Sequence, residues 1–153
     1  MQWPRSDSFN TQKPMAFTRT ASVVIATYNQ PRELELALVG LARQTHYPLE
    51  VIVGDDGSGA ETRDLIERYA SILPFPLYHA WQKDDGYRKA RVINEAVRMA
   101  KGDQIIFLDG DSFPHREWVG DHIKSADAQN ILCGRRVKLG PQLSPRVLSL
   151  IHI

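Results

Sequence analysis

The chain has 153 residues, of which 42% are hydrophobic and 24% charged, the make-up of one globular domain long enough to bury a real core. Its formal net charge of +1 gives no global attraction to nucleic acid or to a membrane surface. The single cysteine, Cys133, excludes an internal disulfide and a cysteine-based zinc site, and is expected as a buried, inert thiol. No apolar run approaches the ~20 residues that span a bilayer, and no signal-peptide core opens the chain, so a cytoplasmic protein is expected.

Residues 1–20 carry Pro4, Pro14 and several polar residues without apolar periodicity, and read as a disordered leader. Met1 and Met15 are both candidate starts. Residues 21–27 are a β-branched run, expected as a buried strand. It ends in Tyr28-Asn29-Gln30-Pro31, where Asn29 or Gln30 is placed to cap a helix and Pro31 to open it. Leu34, Leu38 and Leu41 then recur at helical spacing, with Glu33, Glu35 and Arg43 off that stripe, until Pro48 closes the unit. Residues 49–54 read as a second strand, running into Asp55-Asp56-Gly57-Ser58-Gly59, a tight loop with exposed backbone and carboxylates. A helix to about Ile72 is predicted, with Leu65, Ile66, Tyr69 and Ile72 on one side, broken by Pro74 and Pro76. Residues 77–81 form a short third strand. The polar turn Lys83-Asp84-Asp85-Gly86 leads into a helix over 87–100, with Ala90, Ile93, Val97 and Ala100 as its apolar stripe and Arg88, Arg91 and Arg98 elsewhere around it.

Four apolar residues, Ile105-Ile106-Phe107-Leu108, read as a fully buried fourth strand and end abruptly on Asp109-Gly110-Asp111. Alternate strand residues share a face, and at a strand end both carboxylates can turn into the cleft beyond the sheet edge. Clustered hard oxygen donors without a cysteine or histidine between them suit Mg²⁺ or Mn²⁺ better than zinc. The competing role is structural: Asp111 or Ser112 capping a helix with Pro114 in its first turn. That helix is expected to reach about Ala126, with Trp118, Val119 and Ile123 inward. Residues 130–137 could be a fifth strand or a crossing segment, and include Arg135 and Arg136. Beyond Gly140-Pro141 the pattern fades, and the chain stops on an apolar run from Val147 to Ile153.

Strands alternating with helices at these spacings mean βαβ units, a mostly parallel sheet and helices on both faces. Thr27-Tyr28-Asn29, Asp55-Asp56-Gly57-Ser58 and Asp109-Gly110-Asp111 all follow strands, so their carboxyl ends share one edge and converge on one crevice. Four carboxylates with arginines nearby can hold a metal-bound diphosphate: Asp109 and Asp111 on the cation, an arginine on residual negative charge. Asp55 and Asp56 suit a base N–H or ribose hydroxyls, and Tyr28 can offer an aromatic face to a base.

The runs Ser22-Val-Val-Ile-Ala-Thr-Tyr-Asn29, Val51-Ile-Val-Gly-Asp-Asp-Gly-Ser58 and Ile105-Ile-Phe-Leu-Asp-Gly-Asp111 resemble, in order, three signatures of family 2 glycosyltransferases. Gly86-Tyr-Arg-Lys-Ala-Arg-Val-Ile-Asn94 is similar to the family's Gly…Ala-Arg…Asn segment, although its arginine and asparagine spacing is not the commonest. The resemblance covers about residues 21–137. It implies a Rossmann-like GT-A fold, a divalent cation (Mn²⁺ or Mg²⁺), and inverting transfer of a sugar from a nucleotide-diphosphate donor to a glycan or lipid-linked acceptor. Carried over by position, it implies that Thr27 and Tyr28 line the base, Asp56 bonds it and Asp55 supports the loop. Asn29 and Gly110 join the same donor-binding set, Asp109 lies near ribose or metal, Asp111 is the main metal ligand, and Arg88 or Arg91 meets the donor phosphates. Polysaccharide assembly, in the cytoplasm or peripherally at the inner face of a membrane, is the setting it suggests.

The family places its catalytic base in an acceptor-binding half beyond the metal strand. Here Asp121 and Asp127 are the remaining acids, and both fit a solvated helix face; His115 reads as a first-turn surface residue. The expectation is therefore a leader over 1–20, a nucleotide-sugar domain over 21–137 and an irregular tail over 138–153, incomplete at the C-terminus and paired with a missing acceptor half. A non-catalytic nucleotide-sugar-binding remnant is the alternative. A haloacid-dehalogenase-like phosphatase shares the Asp-x-Asp strand end but needs a later acidic pair, and a receiver domain needs its acidic pair after the first strand.

Overall fold

The structure, a computed structural model, describes residues 19–140 and Gln142. Four strands and four helices alternate: β1 (Ala21–Thr27), α1 (Pro31–Ala42), β2 (Glu50–Asp55), α2 (Ala60–Ala70), β3 (Leu77–Trp81), α3 (Lys89–Met99), β4 (Gln104–Asp109) and α4 (Trp118–Lys124). All strand pairs are parallel and the sheet order is β3-β2-β1-β4. The expected Rossmann-like α/β architecture is the one present.

The order follows from handedness. The chain walks β1 to β2 to β3 in one direction, then crosses back to place β4 on the far side of β1. Right-handed crossovers moving in opposite directions put their helices on opposite faces. Accordingly Leu34 and Leu38 of α1, Leu65 and Ile66 of α2 and Val119 and Ile123 of α4 pack with Val23, Ile25, Val51, Val53, Ile106 and Leu108. Val92 and Ala96 of α3 pack with Val24, Ile52 and Ala80 on the other face. The reversal of direction creates a switch point between β1 and β4, the place where open α/β sheets leave a crevice for ligands.

Several local expectations change. β4 is an edge strand among the described residues, so Ile106 and Leu108 are buried while Phe107 is 60% exposed, and the run is not covered on both faces. The α3 stripe is Val92, Ile93, Ala96, Val97 and Ala100; Ala90 is exposed because the first turn overhangs the carboxyl edge of the sheet. α2 ends at Ala70, which leaves Ile72 exposed. α4 starts only at Trp118, with no side-chain cap, so neither Asp111 nor Ser112 caps it. Gln30 likewise is the N-cap of α1 without a capping side-chain bond. Residues 130–137 form no strand and run as an exposed crossing segment, which also leaves Cys133 exposed rather than buried. The expected leader, apart from Arg19 and Thr20, and all of the expected tail beyond Gly140 except Gln142 lie outside the described residues.

Candidate functional site

The carboxyl ends of β1, β2 and β4 lie side by side, with Thr27 opposite Asp55 and Ala26 opposite Asp109 in the ladders. The loops that leave them are tied together by their own polar groups. Asn29 adopts φ 50°, a left-handed conformation that asparagine tolerates. Its backbone N–H donates to Ser58 Oγ at 2.8 Å, and its Oδ1 accepts from Gly59 N at 3.1 Å. Thr27 O accepts from Asp56 N at 3.1 Å. Asn29 thus staples the first loop to the second instead of capping α1.

Asp55 is fully buried. Its Oδ1 accepts from Ser58 N at 2.8 Å, and its Oδ2 lies 3.0 Å from His79 Nε2 on β3. Burial alone would push this carboxyl up, but hydrogen bonds from His79 and Ser58 outweigh it and hold the pKa below the ordinary value. Asp56 is also buried: Gln82 Nε2 donates to its Oδ1, and Arg88 N donates to its Oδ2 at 2.8 Å. The carboxylate therefore anchors the 82–88 loop from below. Gly57 (φ 103°) lets that loop close in, because a Cβ there would stand 2.6 Å from the Asp84 backbone. Above it, the Tyr28 hydroxyl donates to Asp84 Oδ2 at 3.0 Å, leaving the half-exposed ring at the rim of the crevice. Thr27 Oγ1, by contrast, is buried without a hydrogen-bond partner among the described residues.

At the β4 end, Gly110 N donates to Ala26 O at 2.9 Å, and a Cβ on Gly110 would come within 2.7 Å of that oxygen. This close approach turns the chain so that Asp109 and Asp111 emerge together. Lys89 Nζ, from the first turn of α3, donates to Asp109 Oδ1 at 2.9 Å. Arg136 Nη1, from the crossing segment, lies 3.3 Å from Asp109 Oδ2 and 3.8 Å from Asp111 Oδ1. One positive nitrogen already sits within reach of both carboxylates, so their spacing suits a shared cation. Among the described residues no group of three or more His, Cys, Asp or Glu side chains forms a metal cluster. Two carboxylates open to solvent nevertheless fit Mg²⁺ or Mn²⁺, which takes one or two carboxylates and fills the rest of its shell with water and phosphate oxygens.

The basic residues divide in a way their sequence positions did not reveal. Arg88 folds back: its Nη2 donates to Lys83 O at 2.6 Å and its Nη1 pairs with Asp85 Oδ2 at 3.3 Å. Arg91 is exposed and makes no ion pair among the described residues. Lys89 and Arg136, which meet the carboxylates, were not candidates from sequence.

Glycosyl transferase family 2 matches residues 22–150, nearly the whole described chain. The chain belongs to this family. Chondroitin synthase of Pasteurella multocida (strain Pm70) is 34% identical over 131 residues, covering 85% of this chain and 13% of that protein. Hyaluronan synthase of Pasteurella multocida is 38% identical over 103 residues, covering 67% of this chain and 10% of that protein. The chain therefore spans roughly a tenth of the length of these relatives. Among solved structures, S. aureus TarS 1–349 in complex with UDP-GlcNAc superimposes with a TM-score of 0.57 at 29% identity, over 69% of this chain and 30% of that one. The mannosyltransferase PcManGT of Pyrobaculum calidifontis, in complex with GDP-Man and Mn²⁺, gives 0.54 at 29% identity, over 63% of this chain and 28% of that one. The family 2 fold is thus the GT-A fold expected from the motifs. No helix among the described residues is long and apolar enough to cross a membrane.

Proposed function

We propose that this chain holds the nucleotide-diphosphate sugar in an inverting, metal-dependent glycosyl transfer to a glycan or lipid-linked acceptor. The observation that carries the reading is the meeting of three polar strand ends at the β1/β4 switch point, with the Asp109–Asp111 pair at one corner and the Tyr28–Asp56 loops at the other. The TarS and PcManGT complexes, which contain a nucleotide sugar and, in the second, Mn²⁺, support it by likeness.

In this reading the base lies against the Tyr28 ring near Asp56, with the buried Thr27 side chain behind it, beside Gly110. Asp55, with Asn29, keeps that wall rigid through His79 and Ser58. Asp109 and Asp111 would hold the divalent ion, whose chemistry is to withdraw charge from the departing diphosphate. Gly110 keeps the turn tight enough for both carboxylates to face it. The acceptor hydroxyl attacks the anomeric carbon, its proton passes to a base, and the carbon–oxygen bond to the diphosphate breaks.

That base is not assigned to a described residue. Asp121, half-exposed on α4, lies 3.9 Å from both Lys124 and His115, and Asp127 accepts from Gln129 N and Asn130 Nδ2 within its own turn. Transfer, as distinct from donor binding, is proposed to draw its base from an acceptor-binding part, with the work done in the cytoplasm or at the inner face of a membrane.

Equilibrium dialysis of the full chain against a panel of labelled nucleotide sugars, with Mn²⁺ or with EDTA, tests the binding. Release of nucleoside diphosphate separates turnover from binding alone. Retention of a donor that EDTA abolishes is expected. No retention of any donor, or retention indifferent to EDTA, contradicts the reading.

A further inference from the structure

Lys89 and Arg136 neutralise the Asp109–Asp111 pair from two unrelated parts of the chain, the first turn of α3 and the crossing segment. Both pairs are open to water: the Lys89 and Asp109 side chains are 41% and 46% exposed, and those of Arg136 and Asp111 are 68% and 53% exposed. Exposed ion pairs contribute little to stability, roughly 0–1 kcal/mol, so neither contact is explained as a brace for the fold. Arg136 in particular belongs to a segment with no regular structure and no buried side chain.

A charge balance explains them better. Two carboxylates and two side-chain cations leave the corner near neutral as it stands. A divalent ion on the carboxylates alone would also be neutralised, and would leave the two negative charges of a nucleotide-sugar diphosphate without partners. With Lys89 and Arg136 released toward the phosphates, the same six groups balance: carboxylates on the ion, side-chain cations on the diphosphate. Arginine suits that transfer because its fork matches carboxylate and phosphate oxygens alike, and lysine because its long stem can swing a point charge.

We propose that Lys89 and Arg136 are exchangeable counter-cations. They hold Asp109 and Asp111 when the pocket is empty and turn to the donor diphosphate when the divalent ion takes the carboxylates. This inference rests on the donor-binding reading above and gives it an internal coupling. Metal and diphosphate each free what the other needs, so each raises the other's affinity by the same factor. It also assigns the phosphate contact to Lys89 and Arg136 rather than to Arg88, which is held by Lys83 and Asp85, or to Arg91.

The test is a pair of equilibrium titrations on the full chain and its Lys89→Met and Arg136→Met variants, with thermal melts to establish folding. Mn²⁺ binding without nucleotide is followed by electron paramagnetic resonance. Binding of UDP, GDP, ADP and dTDP at saturating Mn²⁺ is followed by calorimetry. The two affinities are expected to move in opposite directions in each variant. Mn²⁺ alone binds severalfold more tightly, because a competitor for the carboxylates is gone, while the best nucleoside diphosphate binds about tenfold more weakly for want of a charge-assisted contact. A merely structural role would lower both or neither. Wild-type protein that binds Mn²⁺ and a nucleoside diphosphate, with variants that lose both in parallel or neither, overturns this inference alone. Wild-type protein that binds no nucleoside diphosphate overturns the donor reading and this inference with it.

Discussion

Pro114 is wedged against α1 at Gly40: a Cβ added to Gly40 would meet Pro114 Cδ at 2.7 Å and Cγ at 3.1 Å. The loop that carries Asp111 is therefore docked on the first helix of the domain, three residues beyond the carboxylate. A Gly40→Ala change should gain about 1 kcal/mol of helix propensity. It should lose about 1–3 kcal/mol to overpacking, because the proline ring cannot bend away. Destabilisation wins. We expect a lower thermal midpoint and, in the folded fraction, weaker Mn²⁺ binding, since relief of the clash must displace the Asp111 loop.

Gln44 makes the second fastening of that loop. Buried at the end of α1, it donates from Nε2 to Gly40 O at 3.1 Å and His115 O at 2.7 Å, and accepts at Oε1 from Val119 N at 2.9 Å. Gln44→Leu removes both ends of this bridge and orphans buried backbone groups, each at about 1–3 kcal/mol. A loss of about 2–4 kcal/mol in urea unfolding is expected, well above the effect of a surface substitution.

The strands were legible because β-branched runs need little context. The exposed ring of Phe107 was not, because whether a strand is central or at an edge depends on the order of the others. Asp111 and Ser112 looked like caps because a proline follows them. Pro114 instead docks on Gly40, a contact between residues far apart in sequence, and postpones α4 to Trp118. The three polar strand ends could be read from their position after strands. Lys89 and Arg136 could not, since only the crossover that lays β4 beside β1 brings α3 and the crossing segment to Asp109.

Acid should loosen the base-side wall through Asp55. Its folded pKa lies below the ordinary 3.8, so the stability it contributes is fully present above that value and is lost as pH falls through the folded value. Asp55→Asn should be less stable at neutral pH and show a flatter loss of stability between about pH 4 and pH 2 than the wild type. Urea midpoints across that range read the difference directly.

Gly57→Ala should damage the nucleotide side without touching the metal side. The residue sits at φ 103°, and its Cβ would stand 2.6 Å from the Asp84 backbone, so the 82–88 loop must lift. Strain at such a position costs on the order of 1–3 kcal/mol. Binding of nucleoside diphosphate should fall while Mn²⁺ binding without nucleotide is retained, which distinguishes a lifted loop from a general loss of fold.

The most direct measurement is calorimetric titration of a nucleoside diphosphate panel into the 153-residue chain and into Asp111→Asn, with and without Mn²⁺. The donor-pocket account predicts saturable binding of at least one nucleoside diphosphate to the wild type with Mn²⁺, and a loss of tenfold or more on removing either Mn²⁺ or the Asp111 charge. Binding that ignores both, or no binding by folded wild-type protein, would contradict it.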